Sequence, residues 1–208
     1  MLKFDENTHT YELDGKKLIS TTQLLRKNNL APNYDMVDEE VLKKAAEKGT
    51  LIHSEIEEFI KTGSIGFTNE VALFIDWYRK QAVSEIESEI KVYNDIVAGT
   101  IDLIYKRNNE WWISDIKTTS TIHTSSVQWQ LSIYKALAEE RLGIKIERSS
   151  VLHIRDVLKE KELSFINDDE VNKLFECERA GIIYAPYTEI AEMSALVEVE
   201  NQIKEFLK

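Results

Sequence analysis

Two aspartates and a lysine, Asp102, Asp115 and Lys117, are the residues of this chain whose types and spacing best suit joint chemistry. Asp115 and Lys117 are two positions apart, so on a β-strand their side chains share one face. Two carboxylates held close together repel each other and lose hydration when buried, and a divalent cation relieves both costs. Carboxylate oxygens suit Mg²⁺ or Mn²⁺. The three residues therefore predict a divalent metal site; the alternative is an ion pair between Lys117 and one aspartate that serves no function.

The segments around these residues predict a β-hairpin that holds both aspartates. Residues 98–106 and 111–117 are apolar and β-branched, and the polar residues between them are typical of a tight turn. If residues 108–109 form a two-residue primed turn, positions equidistant from the turn face each other. Asp102 then lies directly opposite Asp115, with the Cβ atoms roughly 5 Å apart. If the loop is longer than two residues, this register does not hold, and Asp102 no longer faces Asp115.

Two helical segments carry polar pairs that are spaced four residues apart. His53 and Glu57 follow Gly49 on a predicted helix, and the spacing places both side chains on one face. A neutral imidazole is a good ligand for a divalent metal. Gln130 and Tyr134 have the same spacing on a second predicted helix, where Tyr134 belongs to the apolar stripe. Taken alone, the first pair fits a surface contact and the second fits ordinary helix packing.

These four elements, in this order, resemble the PD-(D/E)xK nuclease superfamily, in its RecB-type and phage exonuclease branch. The matching stretches are GTIDLI, SDIKT and QLSIY, together with the spacing of glycine, histidine and glutamate in the first helix. The resemblance implies that Asp102 and Asp115 bind the metal. It implies that Lys117 helps to orient or activate the attacking water.

The resemblance also implies roles for residues around the aspartates. His53 is expected to be a further metal ligand, and Ile116, inside the D-x-K triplet, is assigned to the same metal site. Gln130 and Tyr134 are expected to border the active site and to help shape the path of the DNA. Glu89 resembles an acid found at that place in relatives, and is either an outer ligand or only an edge-strand charge.

The patterns and the resemblance predict an α/β (α+β) fold, in which a restriction-endonuclease-like mixed central sheet is flanked by helices. At 208 residues the chain is most simply one domain, spanning residues 1–208. Gly49 is expected to divide its helix in two. The predicted elements are a hairpin at 1–19, helices at 20–27, 38–60, 69–87, 126–142, 168–179 and 189–207, and strands at 89–93, 98–106, 111–117, 149–154 and 163–166.

The function predicted is that of a hydrolase: a DNA exonuclease that depends on Mg²⁺ (or Mn²⁺) and cuts phosphodiester bonds. Its expected setting is DNA recombination, repair or processing, in a prokaryote or in a phage. Two alternatives stay open. One is a structure-specific or nicking endonuclease, and the other is a DNA-binding or assembly module that keeps the nuclease fold without turnover. The intact set of two aspartates and a lysine favours an enzyme, because a pure binder does not need clustered charge.

Composition limits the setting and the partners. The one cysteine, Cys177, permits no internal disulfide and no four-cysteine iron–sulfur cluster, which favours the cytoplasm of a prokaryotic or phage-infected cell. No segment predicts a membrane span. With 26 basic and 37 acidic residues, the net charge of −11 argues against tight non-specific DNA binding by a lone monomer. A homo-oligomer, a recombination partner protein or metal-dominated binding would fit, and Lys43, Lys44 and Lys48 are candidates for a locally basic channel.

Overall fold

The structure, a computed structural model, describes residues 2–5, 10–34 and 36–186. Within these residues the chain forms eight β-strands and five α-helices. In chain order the elements are β1 (Leu2–Asp5), β2 (Thr10–Leu13), β3 (Lys16–Ser20), α1 (Thr21–Lys27), α2 (Glu39–Thr62), α3 (Asn69–Lys80), β4 (Val83–Tyr93), β5 (Val97–Arg107), β6 (Glu110–Lys117), α4 (Thr124–Leu142), β7 (Arg148–Ile154), β8 (Leu158–Leu163) and α5 (Asp168–Ala180).

The eight strands form one mixed sheet, in which β5 is the central strand. The order along the sheet is β1-β2-β3-β5-β6-β7-β8, and β4 pairs with β5 in addition. β3 with β5 and β6 with β7 are parallel pairs, and the other pairs are antiparallel. Helices cover both faces of this sheet. The predicted α/β fold, a restriction-endonuclease-like mixed sheet flanked by helices, is confirmed.

The hairpin of β5 and β6 has the register that the sequence predicts. Leu103 pairs with Ser114, and the pairing continues in step to Arg107 and Glu110. The turn residues Asn108 and Asn109 have φ angles of 53° and 66°. Positive φ at both central positions is the mark of a type I′ turn, which suits the right-handed twist of the flanking strands, and asparagine tolerates it better than most residues do.

One edge of β5 is shared by two different strands and has a gap between them. β3 pairs in parallel with Val97 and Ala98, and β6 pairs in antiparallel fashion from Leu103 onward. Residues 99–102 lie between these two stretches, with no strand partner on that edge among the described residues. We call residues 99–102 the β5 notch. The other edge of β5 is paired with β4 along this stretch.

The two faces of the sheet bury separate cores. The first core, with α1, α4 and α5, covers the face that carries Ile104 and Ile113. The second core, with α2 and α3, covers the opposite face. Its largest buried side chains come from both helices and from the central strands: Ile52, Ile56, Phe74, Trp77, Leu103, Tyr105 and Trp112. The two cores fix α2 and α4 on either side of the central hairpin.

The helix predicted for 69–87 is too long. α3 ends at Lys80, and β4 begins at Val83 and pairs with β5 over most of its length. The acidic residues of β4 favour helix in isolation, but the ladder with β5 outweighs that local preference. β4 therefore also extends the strand predicted at 89–93 toward the N-terminus.

Three smaller predictions are also corrected. α2 runs unbroken through Gly49, since neighbouring helical residues and packing absorb the roughly 1 kcal/mol that a glycine costs there. The last strand is β8 at Leu158–Leu163 rather than at 163–166. Its residues are mostly charged, so the sequence shows no alternation of apolar and polar residues that would predict a strand there. The cap of α5 is Asn167, whose side chain accepts a hydrogen bond from the Asp169 amide.

The helix predicted at 189–207 lies outside the described residues. Within the residues that are described, no helix combines the length and the apolar character that crossing a bilayer requires.

Candidate active site

Asp102 lies in the β5 notch, and its side chain bridges to β6. Its Oδ2 accepts a hydrogen bond of 2.7 Å from the backbone N–H of Ile116. The backbone ladder between β5 and β6 ends one step earlier, at Leu103 and Ser114. The predicted register is thus observed up to Leu103 and Ser114, and the backbone ladder does not extend to Asp102 and Asp115. The carboxylate of Asp102, and not its backbone, binds the next free amide of β6.

Asp115 is buried, with 1% of its surface exposed, and it is held by two side chains. Lys117 Nζ lies 2.8 Å from both carboxylate oxygens and forms a hydrogen bond with Oδ1. Gln130, on α4, donates from Nε2 to the same Oδ1 at 2.9 Å. Among the described residues, Oδ2 of Asp115 accepts no hydrogen bond beyond its ion pair with Lys117. The structure thus brings the predicted Asp115, Lys117 and Gln130 into direct contact.

His53 reaches the same region from α2. Its Nδ1 lies 3.6 Å from Oδ1 of Asp102 and 3.4 Å from Oε1 of Glu89. Potential ligand atoms of His53, Glu89 and Asp102 all lie within 4.8 Å of one another. Two ligands at about 2.0–2.2 Å from one Mg²⁺ or Mn²⁺ ion lie at most about 4.4 Å apart, and both distances measured from His53 fall within that limit. The arrangement groups His53 with Asp102 and adds Glu89, whose role the sequence left open.

Glu89 reaches this cluster through an unusual backbone conformation. It is on β4 between Ser88 and Ile90, which pair with Leu103 and Ile101, so it faces the Asp102 position of β5. Its φ is 53°, which is uncommon for a residue other than glycine and costs energy within a strand. No periodicity in the sequence signals this distortion. The only hint available from the sequence is an acid on the strand before the hairpin.

Negative charge exceeds positive charge in this cluster. Burial alone would lower the pKa of His53, but the carboxylates of Asp102 and Glu89 outweigh it and raise that pKa to about 9. Burial raises the pKa of Asp115, and Lys117 opposes this shift. Three carboxylates therefore face one lysine and one histidine, which calls for further positive charge.

The other predicted residues have contrasting positions. Ile116 buries its side chain in the core beneath α2 and α3, so only its backbone can face the cluster. Glu57 pairs with Lys61 on α2 instead of joining the cluster. Tyr134 is buried against β5, and burial followed by the charge of Asp102 raises its pKa.

Gly99, at the start of the β5 notch, makes room for the ring of Tyr134. A Cβ at this position would lie 2.4 Å from Cε1 of Tyr134 and 2.9 Å from Oγ1 of Thr21. Both distances are shorter than van der Waals contact. Tyr134, one turn along α4 from Gln130, is thereby seated directly on the strand that carries Asp102.

We expect Gly99→Ala to destabilise the protein by about 1–3 kcal/mol, since an added methyl group must displace a packed ring and the helix behind it. Chemical denaturation measures the loss. Gly49→Ala is the matched control: its Cβ would meet only Oγ1 of Thr118, at 3.7 Å, so that variant should be at least as stable as the unaltered protein. Equal stability of Gly99→Ala and the unaltered protein would contradict the close packing.

The residues present fit a divalent cation. Oδ2 of Asp115 is buried and accepts no hydrogen bond beyond its ion pair with Lys117, and the excess of carboxylates over cations would be neutralised by two positive charges. Oxygen ligands with one imidazole suit Mg²⁺ or Mn²⁺. His53, Glu89 and Asp102 could hold such an ion, with Asp115 beside them.

A depression of about 170 Å³ opens next to Lys117 and Gln130. Its walls come from α1, from the segment after α1, and from the start of α4. Its polar lining includes Thr22, Arg26, Tyr34, Thr119, His123 and Ser126. A substrate could thus approach Lys117 from the solvent side.

Comparisons with known proteins show the family of this chain. Twenty-seven chains of solved structures resemble this one, among them the crystal structure of SSO0001 with 17% sequence identity, a TM-score of 0.49, and coverage of 81% of this chain and 78% of that chain. No curated protein matches the sequence. The model of the PD-(D/E)XK nuclease superfamily matches residues 65–182, more than half of the chain. The matched region contains the β5 notch and the strand that carries Lys117. The chain therefore belongs to the PD-(D/E)XK nuclease superfamily.

Proposed function

We propose that the protein is a DNA exonuclease that depends on Mg²⁺ or Mn²⁺ and hydrolyses phosphodiester bonds in DNA recombination, repair or processing, as in the RecB-type and phage branch. One observation carries the proposal. His53, Glu89 and Asp102 place potential ligand atoms within 4.8 Å of one another, and Asp102 is bonded to the strand that carries Asp115 and Lys117. A purely structural role leaves this concentration of carboxylates unexplained, because their mutual repulsion costs stability.

The proposed roles follow from the contacts. His53, Glu89 and Asp102 hold the cation, and Asp115 completes the acidic wall next to it. A bound divalent metal supplies a Lewis acid for the scissile phosphate and lowers the pKa of the attacking water. Lys117, paired with Asp115 but partly exposed, orients that water and offsets the negative charge that builds up on the phosphate.

Gln130 and Ile116 act as positioning residues. Gln130 holds Oδ1 of Asp115 from α4, so the carboxylate keeps a fixed direction. The N–H of Ile116 holds Oδ2 of Asp102 and leaves Oδ1 toward His53. Asp102 thus has one oxygen bound by the backbone and one directed toward the cluster, whereas Asp115 is held by Gln130 and Lys117.

The charge of the chain favours cleavage at DNA ends. A net charge of −11 gives little electrostatic attraction for the middle of a duplex. Two of the three lysines expected to form a basic channel are neutralised, since Lys44 pairs with Glu40 and Lys48 pairs with Glu70. A strand end that enters the depression beside Lys117 would instead supply the geometry of binding.

The proposal predicts that linear DNA is degraded progressively to small products, while covalently closed circles of the same sequence survive. Both substrates are incubated with Mg²⁺, with Mn²⁺ and with EDTA at physiological salt, and products are resolved on denaturing gels. We expect degradation of the linear form alone, and none in EDTA.

The other outcomes are distinct. Circles cut as fast as linear DNA would replace the exonuclease with an endonuclease. If neither substrate is cut although calorimetry shows metal binding, the protein is a binding or assembly module with the nuclease fold.

A further inference from the structure

A row of basic side chains leads from Lys117 across the sheet to its edge. In the ladders β6–β7 and β7–β8, Lys117 pairs with His153 and His153 pairs with Lys159. Side chains paired in this way lie on the same face of a sheet. Neighbouring strands are about 4.8 Å apart, so the row extends roughly 10 Å from the backbone of Lys117.

The edge strand β8 separates its charges by face. Lys159 and Lys161 share the face of His153 and Val151, and Lys161 Nζ donates to Oγ1 of Thr124 at the start of α4. Glu160, between them, points to the opposite face. There its carboxylate accepts hydrogen bonds from Trp77 and Arg107. The period of two in the strand thus turns an alternating Lys–Glu sequence into a basic face and an acidic face.

The two lysines of β8 have no carboxylate partner among the described residues, unlike many of the other cations. Both are exposed, and among the described residues neither forms an ion pair. By contrast, Lys48 and Lys61, on α2, pair with glutamates. In a chain of net charge −11, Lys159 lies in line with Lys117, and Lys161 adds a second uncompensated lysine on the same face.

We infer that Lys159 and Lys161, with His153, form a binding strip for the phosphate backbone of the nucleic-acid strand whose cleavage is proposed above, and the inference rests on that proposed function. Lysine is a point charge that suits phosphate contacts independent of base sequence. At roughly 3.4 Å of axial rise per nucleotide, the 10 Å row accommodates about three nucleotides beyond Lys117. The strip would explain how an acidic protein retains its substrate.

The strip has a simpler rival explanation. Lysines on an edge strand also protect a sheet from pairing with another chain. That explanation predicts changes in the oligomeric state on substitution, and no change in nucleic-acid binding.

The test is the salt dependence of binding. The double variant Lys159→Gln/Lys161→Gln is compared with Lys17→Gln/Lys145→Gln, which removes the same charge from exposed lysines elsewhere and without ion pairs among the described residues. Fluorescence anisotropy measures the Kd for labelled single-stranded and duplex DNA in EDTA from 50 to 300 mM KCl. Two lost phosphate contacts should reduce the slope of log K against log salt by about 1.4–1.8 and weaken binding roughly 10- to 100-fold at low salt.

Lys159→Arg/Lys161→Arg should restore the slope, because the charge is kept. If Lys159→Gln/Lys161→Gln and the control double variant have the same salt slope, the binding strip is overturned. This holds whether or not light scattering shows that the glutamine variant aggregates. Degradation of linear DNA in Mg²⁺ or Mn²⁺ by the unaltered protein separates the two proposals. If there is no metal-dependent degradation, the proposed function fails, while the salt slope, measured in EDTA, still decides the strip.

Discussion

Asp115→Asn should lower kcat/KM by at least about 1,000-fold in Mg²⁺, equivalent to about 4 kcal/mol of transition-state stabilisation, and leave the protein folded. Asparagine keeps Oδ1, which accepts from Lys117 and Gln130, and removes the charge together with Oδ2, the oxygen that also contacts Lys117. Burial disfavours the ionised form of Asp115, so the melting temperature in EDTA should not fall. The stabilisation that Mg²⁺ gives the unaltered protein should be reduced in the variant.

The matched control is Asp76→Asn, which removes an exposed carboxylate paired with Lys80 on α3. It should leave both kcat/KM and the effect of Mg²⁺ on melting unchanged. Asp102→Asn should resemble Asp115→Asn, and His53→Ala should weaken Mn²⁺ binding measured by calorimetry. Full activity of Asp115→Asn in Mg²⁺ would show that the D-x-K triplet is not the reaction centre.

Lys117→Met should lose turnover while metal binding is largely kept. The side chain keeps most of its length but loses the ammonium that lies 2.8 Å from Asp115. Removal of one group that stabilises developing charge typically costs about 10²–10³ in rate. Single-turnover kinetics measure the chemical step, and calorimetry measures the affinity for Mn²⁺. The expected result is a fall in kcat with an affinity within a few-fold of the unaltered value.

Lys80→Met is the control, because it removes an exposed lysine of α3 in an ion pair with Asp76. Lys117→Arg should keep a charge but restore turnover only in part, since guanidinium and ammonium differ in shape. If Lys117→Met abolishes metal binding along with turnover, Lys117 supports the fold of the site and does not take part in the reaction.

The central hairpin could be predicted because all of its determinants are local. Two β-branched arms and an Asn-Asn turn specify the register, and the register brings Asp102 and Asp115 to the same end. The helix pair of Gln130 and Tyr134 likewise follows from a spacing of four. Such features need no knowledge of distant parts of the chain.

Glu89 and the end of α3 could not be predicted in the same way. β4 becomes a strand because β5 pairs with it, and the φ of 53° at Glu89 exists only within that pairing. The gap between β3 and β6 likewise depends on strands far apart in sequence. A pattern of single residues contains none of this information, because the deciding interactions are tertiary.

The β5 notch also determines when in folding this chain acquires its chemistry. The strand on one side of the notch, β6, is connected to β5 by a two-residue turn. The strand on the other side, β3, is separated from β5 by a long segment of the chain, and its residues Ile19 and Ser20 must pair with Val97 and Ala98. Closing so large a loop is entropically costly, and such non-local pairings form slowly. A chain with only its central hairpin formed therefore has both aspartates but no enclosed cleft. Competence for hydrolysis is expected to appear at the end of folding, so partly folded chains would be inert toward nucleic acid.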